Sequence, residues 1–186
     1  MNAKVKTRNE RILEIVKVAL MAALISVLGP IAIPLPFTPV PISLGILAVY
    51  ISSYLLGAKT GTLSVIIYIL VGLVGLPVFS GYAGGAAKLA GPTGGYIIGF
   101  IFVALIGGLF ADRFENKFFL PLLGMALGTL VCYLFGTLWL AYQMSLTFKQ
   151  ALIAGVVPYV GFDCAKMVIA VLLGKQVKPL IARINK

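Results

Sequence analysis

Histidine is absent from this 186-residue chain, and aspartate and glutamate together number only 5. Without histidine the commonest general base and the commonest metal ligand are missing, so most hydrolase and metalloenzyme mechanisms lose their usual parts. The 2 cysteines, Cys132 and Cys164, each stand inside an apolar run. That is neither a disulfide framework nor a metal motif. No metal and no cofactor is expected. Charge itself is scarce: 11% of residues are charged and 61% are hydrophobic, and the mean hydropathy is +1.09. A soluble domain of this length needs far more polar surface. The composition reads as an integral membrane protein in one compact unit spanning residues 1–186.

What charge there is carries one sign, with a net value of +10. Nucleic acid is not the partner this suggests, because the basic residues are not interleaved with aromatics on one polar face. They gather at the termini and in short connectors, the pattern of a protein oriented in a lipid bilayer. A basic start followed by an apolar run resembles a signal peptide, but no small-x-small cleavage site follows, and a retained helix is expected.

Six apolar runs predict an all-α bundle of six transmembrane helices, with spans near residues 12–29, 42–57, 61–76, 95–111, 118–142 and 150–173. Two connectors are unusual. Residues 29–41, GPIAIPLPFTPVP, hold prolines that forbid a regular helix and favour an extended segment. Residues 77–95, PVFSGYAGGAAKLAGPTGG, are Gly-rich. GAKTG at 57–61 reads as a turn, and Pro158 should kink the last run or mark its true start. Six spans put both termini on one side. The basic residues then fall inside: Lys4, Lys6, Arg8, Arg11 and Lys17 at the start, Lys59, Arg113 and Lys117 at inner turns, and Lys175, Lys178, Arg183 and Lys186 at the end. Only Lys88 and Lys149 fall outside. By the positive-inside rule both termini are cytoplasmic, and the two unusual connectors lie on the outer face.

Two charges break this pattern. In YVGFDCAKMVIA, residues 159–170, Asp163 and Lys166 stand three apart inside the last span. Such spacing puts them on one helix face, with Tyr159 one turn before Asp163. An ionised residue at the centre of a bilayer costs roughly 2.5–3.5 kcal/mol on insertion scales, so both should face the bundle interior. They form a self-neutralised structural pair, a polar site for a ligand, or part of a relay. A relay would need further acidic residues or histidine. At the start of the fourth span, Gly91, Thr93, Gly94 and Tyr96 belong to GPTGGY, where free backbone N–H groups could accept an anion. The order is not that of a phosphate loop. Lys88 is the only cation in this connector, either solvated or a partner for a ligand carboxylate. The absence of charge from PLPFTPVP, which includes Thr38, suggests a lid packed on an apolar cavity. Ala19 and Ala23 form A-x-x-x-A on the first helix, and Gly95/Gly99 and Gly124/Gly128 repeat the small-x-x-x-small spacing. Such pairs let helices approach closely, within the bundle or against another membrane protein.

PVPISLG at 39–45, LVGLPVFSGYAGG at 73–85, LAGPTGGYIIGF at 89–100 and FDCAK at 162–166 together resemble the BioY family, the biotin-binding S components of energy-coupling factor (ECF) transporters. The resemblance covers nearly the whole chain. It implies an N-in six-helix bundle in a bacterial cytoplasmic membrane that captures biotin from outside. It implies a scaffold transmembrane subunit and two ATPase subunits as partners, docked on the Ala19 and Ala23 stripe. Within it, Asp163 would accept the ureido N–H groups, and Lys166 would neutralise Asp163, donate to the ureido carbonyl or bind the carboxylate. Lys88 and the N–H groups around Gly94 are the other carboxylate candidates. Tyr82 and Tyr96 offer rings to the apolar body, beside Gly91, Thr93 and Tyr159, with the Thr38 segment closing over it. The chain carries no Walker motif, so it is not expected to be an enzyme. An S component for another vitamin, a small lipid-acting enzyme using Asp163 as base and Lys166 as partner, and a solitary carrier or channel are the competing readings.

Overall fold

A computed structural model describes residues 8–114 and 117–184, the last four by backbone only. Lys4, Lys6 and Lys186, part of the basic pattern above, lie outside the described residues. The chain begins with α1, Arg8–Leu28. It buries Val18, Met21, Ala22 and Ile25, an i, i+3, i+4, i+7 stripe, against α2. Ile12, Ile15, Val16, Leu20 and Val27 remain exposed.

The Pro-rich connector is not simply extended. It pairs with itself as an antiparallel hairpin, β1 (Ala32–Leu35) and β2 (Thr38–Ser43). The register is irregular between Ile33 and Leu35, where Pro34 has no N–H to give. This small sheet departs from the expected all-α fold. It also shortens the expected second span, since Ile42 and Ser43 are strand and α2 starts only at Gly45. Ser43 joins the two elements: its hydroxyl donates to the Gly29 carbonyl at 2.9 Å and accepts from the Gly45 N–H at 2.9 Å.

α2 spans Gly45–Leu73 and breaks at Gly57, whose φ of 74° and ψ of −172° leave the helical region. The chain folds back there: a Cβ on Gly61 would lie 3.1 Å from the Ser52 carbonyl oxygen, nine residues earlier. The turn expected over 57–61 contracts to Gly57, because its cap comes from elsewhere in the chain. Asp112, near the end of a later helix, accepts the Ala58 N–H at 2.9 Å. A Cβ on Gly57 would sit 1.9 Å from that carboxylate.

The Gly-rich connector holds a short helix, α3 (Ala86–Ala90), and leads into α4 (Gly94–Arg113). α5 (Phe119–Met144) packs along α4. Their contact is made of small residues: Gly99 faces Cys132, Gly128 faces Val103, and Gly95 faces Trp139. α6 (Phe148–Gly155) starts in a capping box between Thr147 and Gln150. It bends by 48° into α7 (Val160–Ile184), with Pro158 in the break. α7 packs on α2 and α5. Among the described residues α2, α4 and α5 are long and apolar enough to cross a membrane, and the bent α6–α7 pair makes a fourth candidate.

Loss of a helix N-cap typically costs about 0.5–2 kcal/mol. Asp112→Ala should therefore lower the melting temperature of the detergent-purified protein. Gly57→Ala should lower it further, because it meets both the positive φ and the carboxylate. An Asp112→Ala protein that melts like the parent would show that Asp112 does not hold the break.

Candidate ligand-binding site

α7 presents Asp163 and Lys166 on one face, and Tyr159, which immediately precedes the helix, accepts the Asp163 N–H through its carbonyl at 2.8 Å. Asp163 lies in the first turn of α7, where the helix dipole favours a carboxylate. It is 5% exposed and Lys166 is 8% exposed. Lys166 Nζ lies 3.0 Å from Asp163 Oδ1. The same ammonium donates to the Ser43 carbonyl at 2.9 Å. Asp163 Oδ2 accepts from the Tyr133 hydroxyl of α5 at 2.6 Å. Tyr159 donates its hydroxyl proton to the Val40 carbonyl of β2. Lys166 of α7 and Tyr159 just before it thus hold the hairpin, and Tyr133 ties α7 to α5.

These groups border a cavity of about 80 Å³, several times the roughly 10–15 Å³ that one water needs. Val40, Pro41 and Ser43 of the hairpin line it, with Ile46 and Tyr68 from the two halves of α2. α4 contributes Tyr96, Ile97 and Phe100 with its N-cap residue Thr93, and α5 contributes Cys132 and Tyr133. Ser80 and Gly155 complete the wall. The Tyr96 ring is wedged between two glycines: a Cβ would lie 2.3 Å from its ring at Gly136 and 2.0 Å from its hydroxyl at Gly155. The result is a mostly apolar chamber with one buried ion pair. A carboxylate oxygen can accept about two hydrogen bonds and an ammonium donates three. The pair therefore keeps acceptor capacity and one N–H beyond its bonds within the protein. It suits a small molecule with N–H donors and a carbonyl on an apolar body. Among the described residues no group of three His, Cys, Asp or Glu could hold a metal ion.

Of the residues singled out from the sequence, Thr93, Tyr96, Tyr159, Asp163 and Lys166 meet at this cavity. The others do not line it. Thr38 sits behind Tyr159, its hydroxyl accepting the Val40 N–H at 3.2 Å. Tyr82 is 70% exposed, in a left-handed turn with φ 58°. Lys88 is half-buried on α3, where desolvation lowers its pKa. The Gly91 carbonyl accepts from Trp139 Nε1 at 2.9 Å and from the Gly94 N–H at 3.0 Å. The Gly94 N–H is therefore not free for an anion, contrary to expectation. Gly94 is required instead by close approach, since a Cβ would lie 1.7 Å from the Leu89 carbonyl oxygen. Ala19 and Ala23 are exposed on α1, on the face that α2 does not cover. Sequence reasoning missed Tyr133 and Ser43. A signal for Tyr133 exists: Thr129, Tyr133 and Thr137 recur every fourth residue and share one helix face. Ser43 acts through its backbone carbonyl, for which no side-chain signal exists.

The sequence model of the BioY family matches residues 1–183. A biotin transporter BioY of Thermotoga maritima is 41% identical over 167 residues, covering 90% of this chain and 96% of that protein. A probable biotin transporter BioY of Pyrococcus horikoshii is 39% identical, covering 89% and 96%. The fold matches a crystal structure of the S-component for biotin from an ECF-type ABC transporter, with a TM-score of 0.87 and 32% identity, covering 94% of this chain and 95% of that one.

Removing one partner of a buried ion pair typically costs about 3–5 kcal/mol, because the other charge stays buried and uncompensated. Lys166→Met should accordingly destabilise the ligand-free protein strongly, seen as a large drop in melting temperature. Parental stability in that variant would mean that Asp163 is not charged and paired as described.

Proposed function

This chain belongs to the BioY family, and on that footing we propose that it is the biotin-capturing S component of an ECF-type transporter. The observation that carries this reading is the Asp163–Lys166 pair set in an otherwise apolar cavity. Biotin offers a ureido ring with N–H donors and a carbonyl, an apolar thioether ring and a valerate carboxylate. Asp163 accepts the ureido N–H groups, and Lys166 pairs with Asp163 and gives its remaining N–H to the ureido carbonyl. Tyr68, Tyr96 and Phe100 enclose the apolar body. Lys166 is already committed to Asp163 and the Ser43 carbonyl, so we assign the carboxylate to Lys88, the cation of the Gly-rich connector.

The protein sits in the bacterial cytoplasmic membrane as six spans, with the two halves of α2 as separate spans and both termini cytoplasmic. The fold-back at Gly57 and the asymmetric placement of the basic residues support this arrangement. The hairpin and the Gly-rich connector then lie outside, over the cavity. Energy comes from partners, a scaffold transmembrane subunit and two ATPase subunits. The exposed α1 face carrying Ala19 and Ala23 docks the scaffold, because small residues permit close helix approach in lipid.

Titration calorimetry of the purified protein should show tight one-to-one binding of biotin. A hydrogen bond to a charged group contributes about 1.5–3 kcal/mol, so the methyl ester should bind roughly ten- to hundredfold more weakly. Lys88→Met should abolish that difference. Discrimination that survives in Lys88→Met would reassign the carboxylate to Lys166, and absence of biotin binding would overturn the function.

Bulky replacements on α1, Ala19→Trp with Ala23→Trp, should leave biotin affinity intact and prevent co-purification of the ATPase subunits from native membranes. ATPase subunits that still follow the variant would remove α1 as the docking helix.

A further inference from the structure

Three hydroxyl-bearing residues of α5, Thr129, Tyr133 and Thr137, recur at a spacing of four, and each meets a polar partner on another helix. Thr129 spends its proton on the Met125 carbonyl at 2.8 Å. The Tyr50 hydroxyl, 2.7 Å away, must therefore be the donor to Thr129. Thr137 Oγ1 lies 3.5 Å from the Tyr96 hydroxyl. Between them Tyr133 donates to Asp163 Oδ2 at 2.6 Å, the shortest distance in the set. α5 itself is fixed by close packing on α4, where Gly99 meets Cys132, the residue beside Tyr133.

The carboxylate needs such a restraint. The terminal torsion of aspartate is broad and roughly two-fold, so a single bond to Lys166 does not set the carboxylate plane. Tyr133 fixes the second oxygen from a different helix. With Oδ1 on Lys166 and Oδ2 on Tyr133, the plane is set from both sides, and the remaining lone pairs keep fixed directions. A preset acceptor does not have to be ordered when a ligand arrives, and that raises affinity without a new contact.

We propose that Tyr133 is a positioning residue of the ligand site, acting through Asp163 to orient its carboxylate for ligand N–H groups. This inference rests on the biotin-capture reading above and names a residue that the reading does not require.

The test is a double-mutant cycle on the intact chain in detergent, with Tyr133→Phe, Asp163→Ala and both together, read by calorimetry with biotin and its methyl ester. Tyr133→Phe should weaken biotin about tenfold. Adding it to Asp163→Ala should cost no more than about a further twofold, since no side-chain acceptor is left for Tyr133 to orient. The ratio of biotin to ester affinities should stay at the parental value in Tyr133→Phe, because Asp163 addresses the ureido end. A general packing defect would shift that ratio and lower the ligand-free melting temperature in step with affinity. Additive effects of the two substitutions, or parental affinity in Tyr133→Phe, would overturn the proposal. Failure of the parent protein to bind biotin would instead overturn the capture reading itself.

Discussion

A buried ion pair on α7, tied to two other elements of the fold, organises one end of this molecule. Asp163 and Lys166 neutralise each other at 3.0 Å on α7. Each then reaches outward, Lys166 to a carbonyl of the hairpin and Asp163 to a tyrosine of α5. Two charges in an apolar interior are tolerated only when paired and hydrogen-bonded. Satisfying them draws three separate parts of the chain to one point, and the cavity is the space left around it. The hairpin is held there by Tyr159 and Lys166, so the hairpin wall of the cavity and its ion pair depend on the same few residues at the start of α7.

That convergence is possible because the surrounding helices approach closely. Glycines on α4 and α5 bring the helices together, and Gly136 and Gly155 admit the Tyr96 ring as a wall of the cavity. At the opposite end, the break at Gly57 needs no loop of its own, since Asp112 supplies the acceptor for the Ala58 N–H. The few acidic residues are thus used sparingly: Asp163 builds the site and Asp112 caps the turn. The aspartate at the site also has the company that ligand recognition needs, a fixed cation and apolar walls. A lipid-acting enzyme would need a nucleophile and a base held by a third group, and the cavity pairs its carboxylate with a lysine instead.

Much of this was legible in the sequence wherever the signal was local. Helical spacing put Asp163 and Lys166 on one face with Tyr159 one turn before, Pro158 marked the break in the last run, and the small-x-x-x-small pairs of α4 and α5 lie at the contact between them. Non-local features were not legible. The prolines of residues 29–41 argued against a helix and for an extended segment, and the segment is extended; its pairing with itself as a hairpin, irregular near Pro34, was not legible. The turn at 57–61 looked longer than it is because its cap comes from Asp112. Gly94 looked like an anion site and proved to be a close-packing position. Lys166 meets the Ser43 carbonyl across a separation of 123 residues, which no local pattern announces. Tyr133 stood in a four-residue repeat of hydroxyls whose meaning depends on which helix faces it.

A ligand-binding role for the ion pair, as opposed to a purely structural one, is separable by experiment. The direct measurement is biotin affinity, together with ligand-free melting temperature, for Asp163→Asn combined with Lys166→Met. This variant removes both charges and keeps an acceptor for Tyr133. Replacing a buried ion pair by neutral groups of similar size is often neutral for stability. Two charge-assisted hydrogen bonds of about 1.5–3 kcal/mol each would be lost from the ligand. The expected result is a melting temperature near that of the parent, with biotin affinity reduced by roughly a hundredfold or more. Parental affinity in a stable double variant would contradict it and leave Asp163 and Lys166 as a structural pair.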